Sequence, residues 1–156
     1  MAGVMNEVCL HLVWATWDRQ PLLTRPVRAM VYRQIVAKAK EHGCPVLAIG
    51  GIEDHVHVVV RFATTITISD LVQHVKGSSS RLVDRAAVAH GHAPFFKWQG
   101  GYGVFPVEPE SLTRVIRYVE NQESHHRERT TDERLERAPR PVEETQPTEQ
   151  PDKQSA

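Results

Sequence analysis

The chain reads as one α+β domain, an antiparallel sheet with helices packed on it. Three observations predict this. The patterning runs strand, helix, strand, strand, helix, strand, helix, without internal repeats. A length of 156 residues supports one domain with a fair core. A content of 40% hydrophobic and 24% charged residues is that of an ordinary globular chain.

Residues 8–17, rich in apolar and aromatic side chains, form a first strand ended by Asp18-Arg19-Gln20-Pro21. His11 within it could face a site, although a lone histidine among core residues is more often structural. Trp17 and Arg19 could stack on and pair with a nucleotide strand, or simply mark a solvated strand end. From Pro26 to His42, the positions Val27, Met30, Val31, Gln34, Ile35 and Ala39 approximate a helical stripe, stopped by Gly43. Pro45 to Ile52 is a second strand. A turn at Glu53-Asp54 returns the chain as the β-branched run Val56 to Val60, with Gly50-Gly51 read as a turn signal.

Thr67 or Ser69 can cap a helix that starts near Asp70 and carries Leu71, Val72, Val75, Leu82 and Val83. Lys76-Gly77-Ser78-Ser79-Ser80-Arg81 is expected to interrupt or bend it. Small residues beside the cations Lys76 and Arg81 suit approach to a phosphate backbone; a flexible solvated bend has the same composition. In the stretch Phe95 to Val107, Lys97, Trp98 and glycines could form a platform for single-stranded bases, or a turn followed by an edge strand, which Pro106 fits. Ser111 is expected to cap a last helix with the core face Leu112, Val115, Ile116 and Val119. On it Tyr118 and Gln122, four apart, share a face. From 128 to 156 the chain is polar, with disorder expected from Ala138.

Charge and composition narrow the function classes. Residues 1–127 carry 14 Lys and Arg against 11 Asp and Glu, and residues 128–156 carry 5 against 8, so an acidic tail offsets a mildly basic body. Such a body permits DNA without demanding it. Cys9 and Cys44 have no metal spacing and suit buried reduced thiols. With no apolar run of about 18 residues and no secretory leader pattern, neither membrane span nor export is expected, and a cytoplasmic location follows.

The least ordinary stretch is Asp54-His55-Val56-His57. Alternation on a strand puts His55 and His57 on one face, close enough to hold one metal ion, and Val56 and Val58 on the other. Two histidines could also be a satisfied polar face. Joined by Gln122, they can bind Mg²⁺ or Mn²⁺ while leaving positions for phosphate and water, and Tyr118 one turn away can attack phosphorus.

His55-Val56-His57 and Tyr118-Val119-Glu120-Asn121-Gln122, followed by His125-His126, resemble the HUH single-tyrosine transposases of bacterial insertion sequences. Trp98-Gln99-Gly100-Gly101-Tyr102-Gly103-Val104-Phe105 is similar to the version in their repeat-associated domesticated relatives. His11 to Thr16 and the Leu71–Leu82 helix with Lys76-Gly77 also match, so the resemblance spans residues 5–127, leaving 128–156 as a tail. It implies a ferredoxin-like antiparallel sheet with helices packed on one face, Tyr118 as nucleophile, and His55, His57 and Gln122 as ligands of Mg²⁺ or Mn²⁺. It further implies cleavage of single-stranded DNA near hairpins through a 5′-phosphotyrosine, with rejoining by the free 3′-OH. A homodimer is implied too, in which the tyrosine helix of one subunit can serve the other. DNA contacts are expected from Arg19, Lys76, Arg81, Lys97 and Trp98. Pro106 stands where many relatives have serine, and the tail has no clear family continuation. Two other readings stay open: a catalytically idle protein that binds DNA hairpins, and a metal-dependent hydrolase that does not use the tyrosine.

Overall fold

The computed structural model describes residues 3–139. The elements follow the patterning closely: β1 (Cys9–Ala15), α1 (Arg25–Glu41), β2 (Val46–Ile52), β3 (His55–Arg61), α2 (Ile68–Ala89), β4 (Gly103–Val107), α3 (Leu112–Glu120) and α4 (Gln122–Glu128). The four strands form one antiparallel sheet in the order β2-β3-β1-β4. With α1 and α2 as crossovers this is the ferredoxin-like arrangement, and it puts the histidine strand β3 at the centre. Pro106 lies in the edge strand β4, where a missing N–H need not break a second ladder.

Period-2 alternation sorts side chains onto two faces. Leu10, Leu12 and Trp14 of β1 and Val56, Val58 and Val60 of β3 point one way, into a core closed by Val31, Ile35 and Ala39 of α1 and Leu71, Val72, Val75 and Val83 of α2. The opposite face carries Cys9, Ala48, Val59 and Val107, covered by Val115 and Val119 of α3. The expectation of helices on one face therefore holds for α1 and α2, while α3 crosses the other. That second side is needed for Tyr118 to meet the histidines at all.

Several local expectations are corrected. Gly50 and Gly51 lie inside β2 and make no turn, while the turn is at Glu53-Asp54 as expected. Gly50 is glycine because a Cβ there would sit 1.9 Å from the Val119 carbonyl oxygen, so α3 can cross β2 only over a bare backbone. The segment Lys76–Arg81 does not interrupt α2, which runs unbroken for 22 residues. Its serine hydroxyls bond back to the preceding turn, Ser79 Oγ to the Val75 carbonyl at 2.7 Å and Ser80 Oγ to that of Gly77 at 3.2 Å. Of the two cap candidates for α2, Thr67 accepts the Asp70 N–H at 3.1 Å. Ser111 makes no side-chain cap; a short 3-10 turn over Pro109–Ser111 leads into α3 instead. Tyr118 and Gln122 do not share one helix, because Asn121 (φ −105, ψ 27) separates α3 from α4. Among the described residues no helix is long and apolar enough to cross a membrane.

The tail is not uniformly loose. Residues 129–139 fold back over the face carrying the histidines, held by the Asp132 N–H and the Glu136 carboxylate, which both bond the Tyr118 hydroxyl. The expected disorder from Ala138 falls almost wholly outside the described residues.

Candidate active site

β3 delivers His55 and His57 onto the face beneath α3, both essentially inaccessible at 2% and 0% exposure, with ring centroids 5.0 Å apart. Each ring is held from its far side. His55 Nδ1 lies 2.7 Å from Asp54 Oδ1; the carboxylate only accepts, so this nitrogen carries hydrogen. His57 Nδ1 lies 2.9 Å from Nε2 of His11, a diagonal neighbour on β1 in the register Val13↔His57, His11↔Val59. His11 is buried, and burial together with His57 pushes its pKa down to about 3, so it stays neutral. When His57 offers its Nε2 to a cation its Nδ1 carries hydrogen, and the neutral His11 ring can accept it at Nε2. Both Nε2 atoms are thereby turned to the same point, the arrangement by which outer partners orient metal-binding imidazoles.

Amphipathic α3 brings Tyr118 to that point. Its ring packs edge-on to His57 at 6.2 Å and stacks on His125 at 4.6 Å. Although the helix breaks at Asn121, Gln122 stays within reach. Its Nε2 donates to the Tyr118 carbonyl at 3.4 Å, and its Oε1 lies 3.3 Å from His55 Nε2 and 3.2 Å from His126 Nε2. Tyr118, His55, His57 and Gln122 thus converge within one copy of the chain.

A further residue is present that sequence patterning missed. Glu136 reaches in from the tail, with Oε2 at 3.2 Å from Nε2 of both His55 and His57. Its Oε1 accepts the Tyr118 hydroxyl and lies 3.4 Å from His126 Nε2. The Tyr118 oxygen in turn accepts the Asp132 N–H at 3.0 Å. The available signal was slight: Leu135 is the one large aliphatic residue in an otherwise polar stretch, and it is partly buried beside Glu136.

These neighbours set the local electrostatics. Burial and the Glu136 contact push the Tyr118 phenol up to about 12. For His55 burial opposes the charged form, but hydrogen bonds to Asp54 and Glu136 outweigh it and raise the pKa to about 9. Burial lowers that of His57. Glu136 is held well below the usual carboxylate range because its bonds to His55 and His57 overcome its own desolvation.

The donor set fits a divalent cation. Ligands bound to Mg²⁺ at about 2.1 Å in neighbouring octahedral positions lie roughly 3 Å apart. The separations of 3.2 Å and 3.3 Å around His55 Nε2 are of that size. His55, His57 and Glu136 each offer an atom within 4.8 Å of the others.

Of the expected DNA contacts, Arg19 is half exposed and lies 3.8 Å from Asp54, beside His55. Lys97 lies over the indole of Trp17, 3.6 Å from its centroid. Arg81 is exposed, its guanidinium turned back toward Gly77. Lys76 is committed elsewhere, donating to the carbonyls of Gln99 at 2.6 Å and Gly101 at 3.0 Å. The expectation for Trp98 is corrected. It is core, packed edge-on against Trp14 and Phe96 with its Nε1 donating to buried Ser79, and the accessible indole is that of Trp17.

Comparison with known proteins gives the family. The chain is 25% identical over 125 residues to the ISDra2 transposase TnpA of Deinococcus radiodurans, covering 77% of this chain and 87% of that one. A crystal structure of a candidate transposase from Deinococcus radiodurans R1 superposes with a TM-score of 0.61 at 26% identity, over 78% of this chain and 95% of that one. The structure of a REP-associated tyrosine transposase bound to a REP hairpin superposes at 0.58 with 12% identity, over 81% and 72% of the two chains, a likeness of fold. Residues 4–122 match the family described as IS200-like transposases, and with its sheet, histidine strand and tyrosine helix in that order the chain belongs to this family.

Proposed function

We propose that the chain is a metal-dependent nickase and strand-transferase of single-stranded DNA, cutting beside a hairpin through a 5′-phosphotyrosine on Tyr118. The observation that carries this reading is the meeting of Tyr118, His55, His57 and Gln122 around one point. A Mg²⁺ or Mn²⁺ ion held by His55, His57 and Gln122 would neutralise charge on a non-bridging phosphate oxygen. The Tyr118 oxygen gives up its proton to solvent as it forms a bond to phosphorus, the bond from phosphorus to the 3′ oxygen breaks, and that oxygen takes up a proton and leaves as a 3′-OH. Reversal by a 3′-OH rejoins a strand, because the phosphodiester energy is kept in the tyrosine ester. His11 and Asp54 orient the imidazoles, and His125 steadies the phenol ring by stacking.

DNA approaches over the exposed patch of Trp17, Arg19 and Lys97 next to Asp54; Arg81 extends the basic surface on α2. A hairpin substrate is supported by the resemblance and by the REP hairpin bound to one solved structural neighbour. The catalytic domain is residues 5–127, with 128–139 completing the site and the action taking place in the cytoplasm. A homodimer of the family type would not be needed to bring tyrosine and histidines together.

The test is incubation of labelled single-stranded hairpin DNA with the protein and Mg²⁺ or Mn²⁺. A covalent adduct that disappears in Tyr118→Phe is expected; an adduct surviving that change defeats the assignment. The Glu136 contact on Tyr118 favours one alternative, an idle hairpin-binding protein. Hairpin binding that ignores metal and His57→Ala, with no cleavage across several hairpins, would identify it.

A further inference from the structure

The acid that the tail inserts has no part in the reaction scheme above, yet it sits at the scheme's centre. We propose that Glu136 is a protein ligand of the divalent cation, contributed by the C-terminal tail, and that it holds the position the scissile phosphate must take. The inference rests on the reading of His55, His57 and Gln122 as ligands and adds a fourth.

Convergence makes the first argument. His55 and His57 both present Nε2 to one carboxylate oxygen, Glu136 Oε2, at 3.2 Å each. Gln122 Oε1 stands 3.3 Å from the same His55 nitrogen. One atom from each of His55, His57 and Glu136 lies within 4.8 Å of the others, and the shortest of these spacings is that of adjacent ligands on a small divalent cation.

Charge makes the second argument. Two imidazoles and an amide are neutral donors, while Mg²⁺ and Mn²⁺ favour anionic oxygen. Glu136 supplies it from a position only partly open to solvent, 18% exposed.

Geometry makes the third. Through Oε2 the carboxylate meets the histidines, and through Oε1 it takes the hydroxyl of Tyr118. A phosphate undergoing attack must do the same, with one non-bridging oxygen on the cation and phosphorus opposite the phenol oxygen. Both anions cannot stand there. DNA entry therefore exchanges one ligand for another, and the tail segment carrying Glu136 withdraws.

The test uses the full chain, Mn²⁺ alone, and electron paramagnetic resonance of the free ion to measure affinity. Glu136→Gln keeps the shape and removes the charge; we expect affinity to fall about 10-fold or more, with an unchanged melting curve. Glu133→Gln, an exposed acid of the same tail, is expected to leave it unaltered. Equal losses in both variants, or a Glu136→Gln affinity within about twofold of the parent, overturn ligation. His57→Ala separates the two levels of inference. If it abolishes Mn²⁺ binding while Glu136→Gln does not, only Glu136 is misassigned; if it too has no effect, the whole metal site fails. Competition is read with dimethyl phosphate, a phosphodiester that cannot be mistaken for a hairpin. With Mn²⁺ saturating, paramagnetic relaxation of its phosphorus nucleus is expected to be several-fold greater in Glu136→Gln than in the parent. Equal or weaker relaxation overturns the shared position.

Discussion

The two faces of the sheet differ although the same strands build both. Beneath α1 and α2 the face is apolar: Leu10, Leu12, Trp14, Val56, Val58 and Val60 fill volume. Beneath α3 and α4 the equally buried residues include His11, His55, His57 and Gln122. Burying polar groups costs free energy unless they find partners, and here all but the His11 Nδ1 atom are joined, from His11 to His57 and from Asp54 to His55 to Gln122. One face is a matter of packing, and the other of orientation. Residues adjacent in sequence but opposite in direction should then fail in different ways.

Removing the proposed nucleophile is expected to give the largest effect. Tyr118→Phe should reduce covalent adduct by on the order of 10³-fold or more while leaving the thermal transition nearly in place, because the ring and its stacking on His125 remain. Adduct formation by the variant would place the reaction on another group.

The adjacent pair His11 and Leu12 sharpens the contrast, since both are fully buried, at 0% and 1% exposure. Leu12→Ala should cost about 2–5 kcal/mol of stability, seen by urea unfolding, and leave Mn²⁺ affinity of the folded protein unaltered. His11→Ala should weaken Mn²⁺ binding about 10- to 100-fold by releasing the far side of His57. Parallel losses of stability and affinity in the two variants would erase the distinction between the faces.

Gly50→Ala tests the seam where α3 crosses. The added methyl meets backbone at 1.9 Å, so the helix has to move. A destabilisation of about 1–3 kcal/mol is expected, with adduct formation falling further than stability because Tyr118 rides on that helix. Unchanged adduct would mean that the position of α3 tolerates more movement than the site geometry suggests.

The apolar face was legible in the sequence because alternation and helical stripes are local signals, and β3 could be read on both sides at once. Tyr118 and Gln122 were placed together for a partly mistaken reason. The helix breaks at Asn121, but the His125 N–H still bonds the Asn121 carbonyl and Gln122 still reaches the Tyr118 carbonyl, so the four-residue spacing keeps its meaning. Gly50 was read as part of a turn signal, because its role depends on a backbone that arrives from α3. Lys76-Gly77 through Arg81 looked like a break because small polar residues weaken helices. Tertiary packing reverses that, with buried Ser79 accepting from Trp98. Glu136 was nearly out of reach: it meets His57 across 79 residues of chain, and only the neighbouring Leu135 sets it apart from the other acids of the tail.

Trp17 and Trp98 give the finest test, since either indole could be offered to DNA by composition and only Trp17 is accessible. Trp98, 7% exposed, belongs with Trp14 and Phe96, so Trp98→Ala should cost about 3–5 kcal/mol in unfolding. Trp17, 44% exposed under Lys97, should be nearly silent in unfolding. Its loss should instead weaken binding of a single-stranded oligonucleotide by about 1–3 kcal/mol, the worth of one stacked base. Lys97→Ala has the smallest effect expected, a reduction of the salt-dependence slope by about 1 if its ammonium meets phosphate. An oligonucleotide affinity untouched by Trp17→Ala would move the DNA path off this patch and toward Arg81 on α2.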